Sequence, residues 1–328
     1  MGLSSILRFK YTQLMELSPI LPCPASKFDE DETLSVCVNL ELSSSTSLAA
    51  PEPRPGFKAI FNFDESVILK PLEVFQNAIE LMSVLSKVAW NAHIRRSLSM
   101  TDERFATECA LFNLPAWEGL DNDIAVVGLY QTGVAIAERG SFYKLHVGLF
   151  VDGVTRGAIK FYPKEPALAT DINLQIGPSH PNTTVMANSG RIVDPKDSRA
   201  TIAYHFDGVK IKAKDIFTSF LNALAIAAEH SNSDLNAQIP VAASAAGEVI
   251  LSTWVQGDTE NSKMTWARLK RGLLIVWECL VINGGSDKRP RFEGFEFELE
   301  YDGVKIGAGR LLRFDAAANS THVTAVAK

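Results

Sequence analysis

The sequence predicts an α+β fold built of two tandem, internally duplicated modules, each a mostly antiparallel sheet with two helices. Three observations carry that prediction. In FEFELEYDGVKIGAGRLLRF, within residues 284–315, Phe295, Phe297, Leu299 and Tyr301 alternate with Glu296, Glu298 and Glu300 and run into Asp302-Gly303. Period-two alternation ending in Asp-Gly is a hairpin signal, because that dipeptide suits the two positive-φ positions of a type I′ turn. An earlier stretch, HVGLFVDGVTRGAIKF, repeats the device with Leu145, Val147, Leu149 and Val151 ahead of Asp152-Gly153.

The third observation is that further matches follow in the same order. Asp152, Gly153, Val154, Gly157 and Ala158 recur 150 positions later as Asp302, Gly303, Val304, Gly307 and Ala308. Upstream, Gly133 and Ile136 match Gly272 and Ile275, Phe63-Asp64 matches Phe206-Asp207, and Asn39-Leu40 matches Asn173-Leu174. Collinear matches whose spacing drifts only by small insertions are the mark of a tandem repeat. The expected organisation is an irregular arm over 1–31, a first module over 32–163, a second over 167–315 and a flexible tail over 316–328. Local hairpins and alternating strands favour antiparallel pairing, since parallel strands buried on both faces read as continuous apolar runs.

Taken in order, the arm is broken by Pro19, Pro22 and Pro24 and carries an acidic run at 29–32. Leu34, Val36, Val38, Leu40 and Leu42 alternate with polar residues and predict a half-buried strand, with a second over 57–63. Pro71 suits the first position of a helix, and Leu72, Phe75, Ile79, Met82 and Leu85 place an apolar stripe on a helix over 71–89. Residues 105–114 fit a short helix or a strand, with Trp117 in a loop beyond. A second helix is expected over 123–139, stopped by Gly140. The second module repeats the order, with strands over 172–176 and 201–206, a helix over 214–229, an extra strand over 249–255 and a long helix over 262–282. That last helix is apolar over a wide arc, so it and the matching helix over 123–139, or the sheets behind them, are expected to make the contact between modules. With two-residue turns, Leu299 should face Ile306 and Phe297 should face Ala308, while Arg156 and Lys160 fall awkwardly on the inward face of the first hairpin.

Composition narrows the function. At 46% apolar and 21% charged, the chain has the make-up of a soluble globular protein, and a net charge of −6 argues against a general polyanion-binding surface. Cys23, Cys37, Cys109 and Cys279 show no metal-ligand or dithiol spacing and read as free thiols. The longest apolar run, GLLIVWECLVI, contains Glu278 and is too short for a membrane span. Arg8, Lys10 and Glu16 interrupt the apolar opening, so a cytoplasmic location is the default, with secretion not excluded. No cofactor, metal, nucleic-acid or membrane partner is expected.

No phosphate-binding loop, nucleophile elbow or zinc-protease motif occurs. The acidic comb Glu296, Glu298 and Glu300 reads as a wetted strand face, Glu278 as part of a polar stripe with Arg271 and Lys270, and the basic run 268–271 as a solvated surface. His146, His205 and Asp207 are the candidates for acid–base chemistry. Trp117, Trp254, Trp266 and Trp277 are candidates for binding, because aromatic anchors mark recognition sites. The expected function is a non-catalytic binding protein that holds an apolar small molecule or a protein partner between two pseudo-symmetric modules. The alternative is an enzyme with a His/carboxylate pair in an inter-module cleft.

Overall fold

The computed structural model describes residues 50–100, 105–114, 119–164, 188–256, 264–281 and 290–313. The arm, the tail, Trp117 and the strands expected over 34–42 and 172–176 lie outside the described residues. The first module runs β1 (Phe57–Ile68), α1 (Pro71–Leu85), β2 (His93–Ile94), β3 (Leu98–Met100), β4 (Thr107–Asn113), β5 (Leu120–Asp121), α2 (Asn122–Arg139), β6 (Tyr143–Val151) and β7 (Val154–Pro163). The second runs β8 (Ser189–Asp194), β9 (Asp197–Lys210), α3 (Ala213–Ala228), β10 (Ile239–Ala243), β11 (Val249–Val255), α4 (Trp266–Val281), β12 (Glu293–Tyr301) and β13 (Val304–Arg313). The ambiguous 105–114 segment is a strand. The fold is α+β, and every ladder in the two large sheets is antiparallel.

The strand order is β1-β6-β7-β4-β3 in the first sheet and β10-β11-β13-β12-β9-β8 in the second. Read from β9, the second repeats the first element for element, with β8 added beyond β9. Matching details accompany the shared order. The Leu69 N–H donates to Phe142 O at 2.8 Å, and in the second module the Ile211 N–H donates to Phe292 O at 3.0 Å. A Cβ at Gly128 of α2 would come within 2.6 Å of Leu149, and one at Gly272 of α4 within 2.7 Å of Leu299. Gly272 therefore corresponds in space to Gly128, not to Gly133 as the one-dimensional match suggested.

Both Asp-Gly turns form as expected, with φ of 51° and 79° at Asp152-Gly153 and 52° and 74° at Asp302-Gly303. Beyond the turns the register differs from expectation. Glu300 does face Lys305, but a β-bulge then sets Leu299 opposite Gly307 and Phe297 opposite Gly309. The same bulge in the first hairpin sets Leu149 opposite Gly157 and Val147 opposite Ile159. A bulge puts two residues of one strand against one of its partner, which shifts every later side chain to the other face. It makes Arg156 the bulged residue and turns Lys160 outward opposite His146. The inward glycines make room: a Cβ at Gly309 would lie 2.4 Å from the Phe297 ring.

Helices cover one face of each sheet. α1 lies on β3 and β4, α2 on β1, β6 and β7, α3 on β10 and β11, and α4 on β9. The helices of the two modules then meet, although α2 and α4 are not the main partners expected. Instead α1 packs on α3, α2 on α3, and α4 on α1. The reason lies in α3, whose residues from Asp215 to Ala228 are all buried, so it is the helix covered on every side and takes the middle position. Gly133 opens the face of α2 to Leu221 and Phe217; a Cβ there would sit 2.2 Å from Leu221 Cδ2. Phe75 stacks on Phe217 with centroids 4.2 Å apart. Trp277, fully buried, donates its indole N–H to Gln76 Oε1 at 2.7 Å. Each large ring removed from water here contributes roughly 1.5–3 kcal/mol.

Candidate binding site

A cleft of about 230 Å³ opens between α4 and the inner face of the second sheet. Its floor is Ile202, Ile275, Leu299 and Ile306, and its rim carries Arg268, Arg271, Asp194, Asp197 and Tyr301. The alternation of β9 and β12 points Ile202 and Leu299 inward, and the absence of a side chain at Gly272 lets Leu299 reach the helix. Arg271 is pinned by a bidentate pair with buried Asp194, its Nε donating to Oδ2 at 2.7 Å. Burial opposes ionisation of Asp194, yet the hydrogen bonds from Arg271 and from the Lys196 N–H prevail and hold its pKa below the usual value. The Arg268 guanidinium carbon stands 3.7 Å from the Tyr301 ring centroid. Arg199, 4.8 Å from the same ring, donates to Asp197 and brings that carboxyl down to about 2. The rim is mixed in charge, with Asp194, Asp197 and buried Glu300 beside Arg268 and Arg271, over an apolar floor.

Structural correspondence of Gly128 with Gly272 puts Ile124 and Val127 of α2 at the positions of Arg268 and Arg271. The two arginines of α4 are thus absent from α2, although Arg156 of the first module stands at the position of Ile306, counted from the Asp-Gly turns. The cross-tie at this end is inverted in the first module, where Arg54, ahead of β1, donates to Asp121 and Asp123 at the start of α2.

The run 268–271 is not a uniformly solvated face. Lys270 is 1% exposed, and its ammonium donates to His230 O and Asn232 Oδ1, each at 2.9 Å. Burial lowers its pKa to about 8. Asn232 in turn donates to Lys87 O of the first module at 2.9 Å. Glu278 is half-buried, and desolvation raises its pKa, with Glu80 of α1 adding to the effect against Arg271. It is not a freely solvated stripe residue.

The three acid–base candidates are placed apart. His146 stands on the outer face of the first sheet, in a groove with Asn62, Asp64, Lys144 and Lys160, and its pKa is lowered by burial and then by Lys160. His205 lies exposed on the outer face of the second sheet, its Nδ1 2.7 Å from Ser189 Oγ. Asp207 accepts the Val209 N–H at 2.7 Å and fills the space left by Gly294. Of the tryptophans, Trp277 is in the helix junction, Trp266 is buried and stacks on His230 at 3.9 Å, and Trp254 is half-buried on the outer face opposite Ala308. None of these three lines the cleft or the groove. The region between modules, where a ligand was expected, is filled by Phe75, Phe217, Phe220 and Trp277.

Along the acidic comb, Glu298 pairs with Lys305 at 2.8 Å and Glu300 pairs with Arg191. Among the described residues no group of three or more His, Cys, Asp and Glu side chains is placed to hold a metal ion. Cys109 and Cys279 are buried free thiols, and burial raises both, Cys279 to about 12. No described helix is long and apolar enough to cross a membrane.

No family model matches the chain, and no curated protein matches it. Among solved structures, a protein named as a thioesterase from Novosphingobium aromaticivorans DSM 12444 aligns over 83% of this chain and 100% of its own, with 11% identity and a TM-score of 0.12. A protein named as a thioesterase II from Thermobifida fusca YX aligns over 79% of this chain and 92% of its own, with 12% identity and a TM-score of 0.12. Scores that low carry no argument about fold or function.

Proposed function

We propose that the protein is a non-catalytic binding protein whose ligand is a small amphipathic molecule with an anionic head, held in the cleft between α4 and the second sheet. The observation that carries this reading is the replacement of Ile124 and Val127 of α2 by Arg268 and Arg271 at the equivalent positions of α4. Where two modules share a scaffold, chemistry belongs where they differ, and this difference sets Arg268, beside the Asp194-paired Arg271, above an apolar floor. We also read the modules as products of one duplication, related by an approximate twofold axis. Phe75 and Phe217, each the fifth residue of its helix, stack on each other, and α2–α3 contact is answered by α4–α1 contact. Equivalent residues meeting at the centre of an isologous contact are what such an axis requires.

A volume of about 230 Å³ holds roughly eight waters at the ~30 Å³ each occupies in the liquid, which suits a short-chain carboxylate. The alkyl chain would lie on Ile202, Leu299 and Ile306, with the carboxylate at Arg268. Hexanoate is the probe: calorimetric titration should give saturable binding at roughly 1 mM or tighter, about 4 kcal/mol. Arg268→Ile, which installs the residue of the first module, should weaken it at least tenfold without lowering the melting temperature. Absence of saturable binding, or equal binding by the variant, refutes the reading.

A second reading rests on one contact. Ser189 Oγ and His205 Nδ1 are 2.7 Å apart, and Glu296 is the cross-strand neighbour of His205, so a nucleophile, a base and a carboxylate stand in one row. This would be an enzyme site on the outer sheet face. Labelling of wild type but not Ser189→Ala by a fluorophosphonate would favour it over the binding role.

A further inference from the structure

The outer face of the first sheet carries a groove of about 450 Å³, within the range of small-molecule sites. Its construction follows from the register. Ile60, Gly148, Ala158 and Phe112 form one cross-strand row, and Asn62, His146, Lys160 and Ala110 form the next. Ala158 and Ala110 are covered by their larger neighbours, and the groove itself is lined by Asn62, Asp64, Lys144, His146, Lys160 and the rings of Phe112 and Tyr162. Aromatic rings stand around it: Phe150 crosses Gly148, where a Cβ would come within 2.7 Å of its Cε2, and Phe112 and Tyr162 line the groove.

The charge here differs from the second module's on β6, although Arg310 stands at the position of Lys160. Glu296 and Glu298 occupy the positions of His146 and Gly148, counted back from the two Asp-Gly turns. The first sheet instead presents Lys144, His146 and Lys160, with Asp64 as the one carboxylate among the groove residues. Asp64 is engaged by Lys144 at 3.2 Å and by Ser66. The Lys160 ammonium stands 5.0 Å from the Phe112 ring centroid, so a cation and a ring face already share one side of the groove.

We propose that this groove is a second binding site, separate from the α4 cleft, for a planar aromatic anion. The ring would lie against Phe112 and Tyr162, and the anionic group would sit between Lys160 and His146. A charge-assisted contact to Lys160 supplies the attraction, and the rings of Phe112 and Tyr162 supply faces on which a flat molecule stacks better than a globular one.

The test uses 2-naphthalenesulfonate with the full-length protein. Amide resonances of residues 144–148 and 158–162 should shift saturably, and Lys160→Gln should weaken binding about tenfold. Adamantane-1-carboxylate, an anion of similar bulk that is not planar, should bind at least fivefold more weakly than the naphthalene probe. Arg268→Ile should leave this binding unchanged, so failure here is distinguishable from failure of the α4 cleft. Both substitutions are on the surface, and unchanged thermal melting would confirm folding. The proposal is overturned if the probe shifts residues of α4 instead, if Lys160→Gln binds equally well, or if the non-planar anion binds as tightly.

Discussion

Removing either ring of the Phe75–Phe217 stack tests whether the helix layer joins the modules into one folding unit. Phe75 is 2% exposed and Phe217 fully buried. Phe→Ala at such sites costs about 3–5 kcal/mol, the lost transfer energy plus the unfilled cavity. Stacked rings add about 0.5–1.5 kcal/mol beyond area, which should appear as coupling between the two substitutions in a double-mutant cycle. Against a total stability of about 5–15 kcal/mol, each single change is a large perturbation. The protein contains its own module-specific reporters, since Cys109 in β4 and Cys279 in α4 are both buried thiols. Maleimide labelling across a urea series, resolved by peptide mass spectrometry, should give coincident midpoints for the two thiols in wild type. In Phe75→Ala, both midpoints should fall together although Phe75 belongs to the first module. A fall at Cys109 with Cys279 unmoved would show two independent modules and refute the reasoning.

Two further outcomes follow from local geometry. Gly153→Val and Gly303→Val should each cost about 1–2 kcal/mol or more, because φ is +79° and +74° and no atom lies within 4 Å of the added Cβ, leaving backbone strain as the cause. Gly303→Asn, which tolerates the left-handed region, should cost clearly less by thermal melting, and equal losses would count against the type I′ turn. Lys270, with its pKa lowered by burial to about 8 against an unfolded value of about 10.4, binds its proton less tightly when folded. The unfolded state then holds more protons between those values, so this group's contribution to stability rises with pH from 8 towards 10. The stability difference between wild type and Lys270→Met should therefore move in favour of wild type over that window, and a flat difference would contradict the assignment.

Much of the scaffold is legible in the sequence because it is local. The Asp-Gly turns, the Pro71 start of α1 and the Gly140 stop of α2 each depend on neighbours a few residues away, and each forms as read. The bulges were not legible: an extra residue at Arg156 or Ile306 leaves no composition signal, only an inward row that fails to alternate. Arg156 on an apparently apolar face was that signal in retrospect. The helix junction was misassigned because an apolar arc does not name its partner; the absence of a side chain at Gly133 decides where Leu221 and Phe217 go. The α4 cleft was hidden for the same reason. Arg271 reads as surface until Asp194, 77 positions away, is brought beside it. Lys270 reads as solvated until the carbonyls of residues 230 and 232 close over it.

The central claim, that the second module holds a small amphipathic anion where its helix departs from that of the first, is tested most directly by amide hydrogen exchange with and without saturating hexanoate. Added protection should be confined to residues 194–202, 267–275 and 299–306, and should vanish in Arg268→Ile. Protection elsewhere, or none in those segments at concentrations where hexanoate binds, would contradict it.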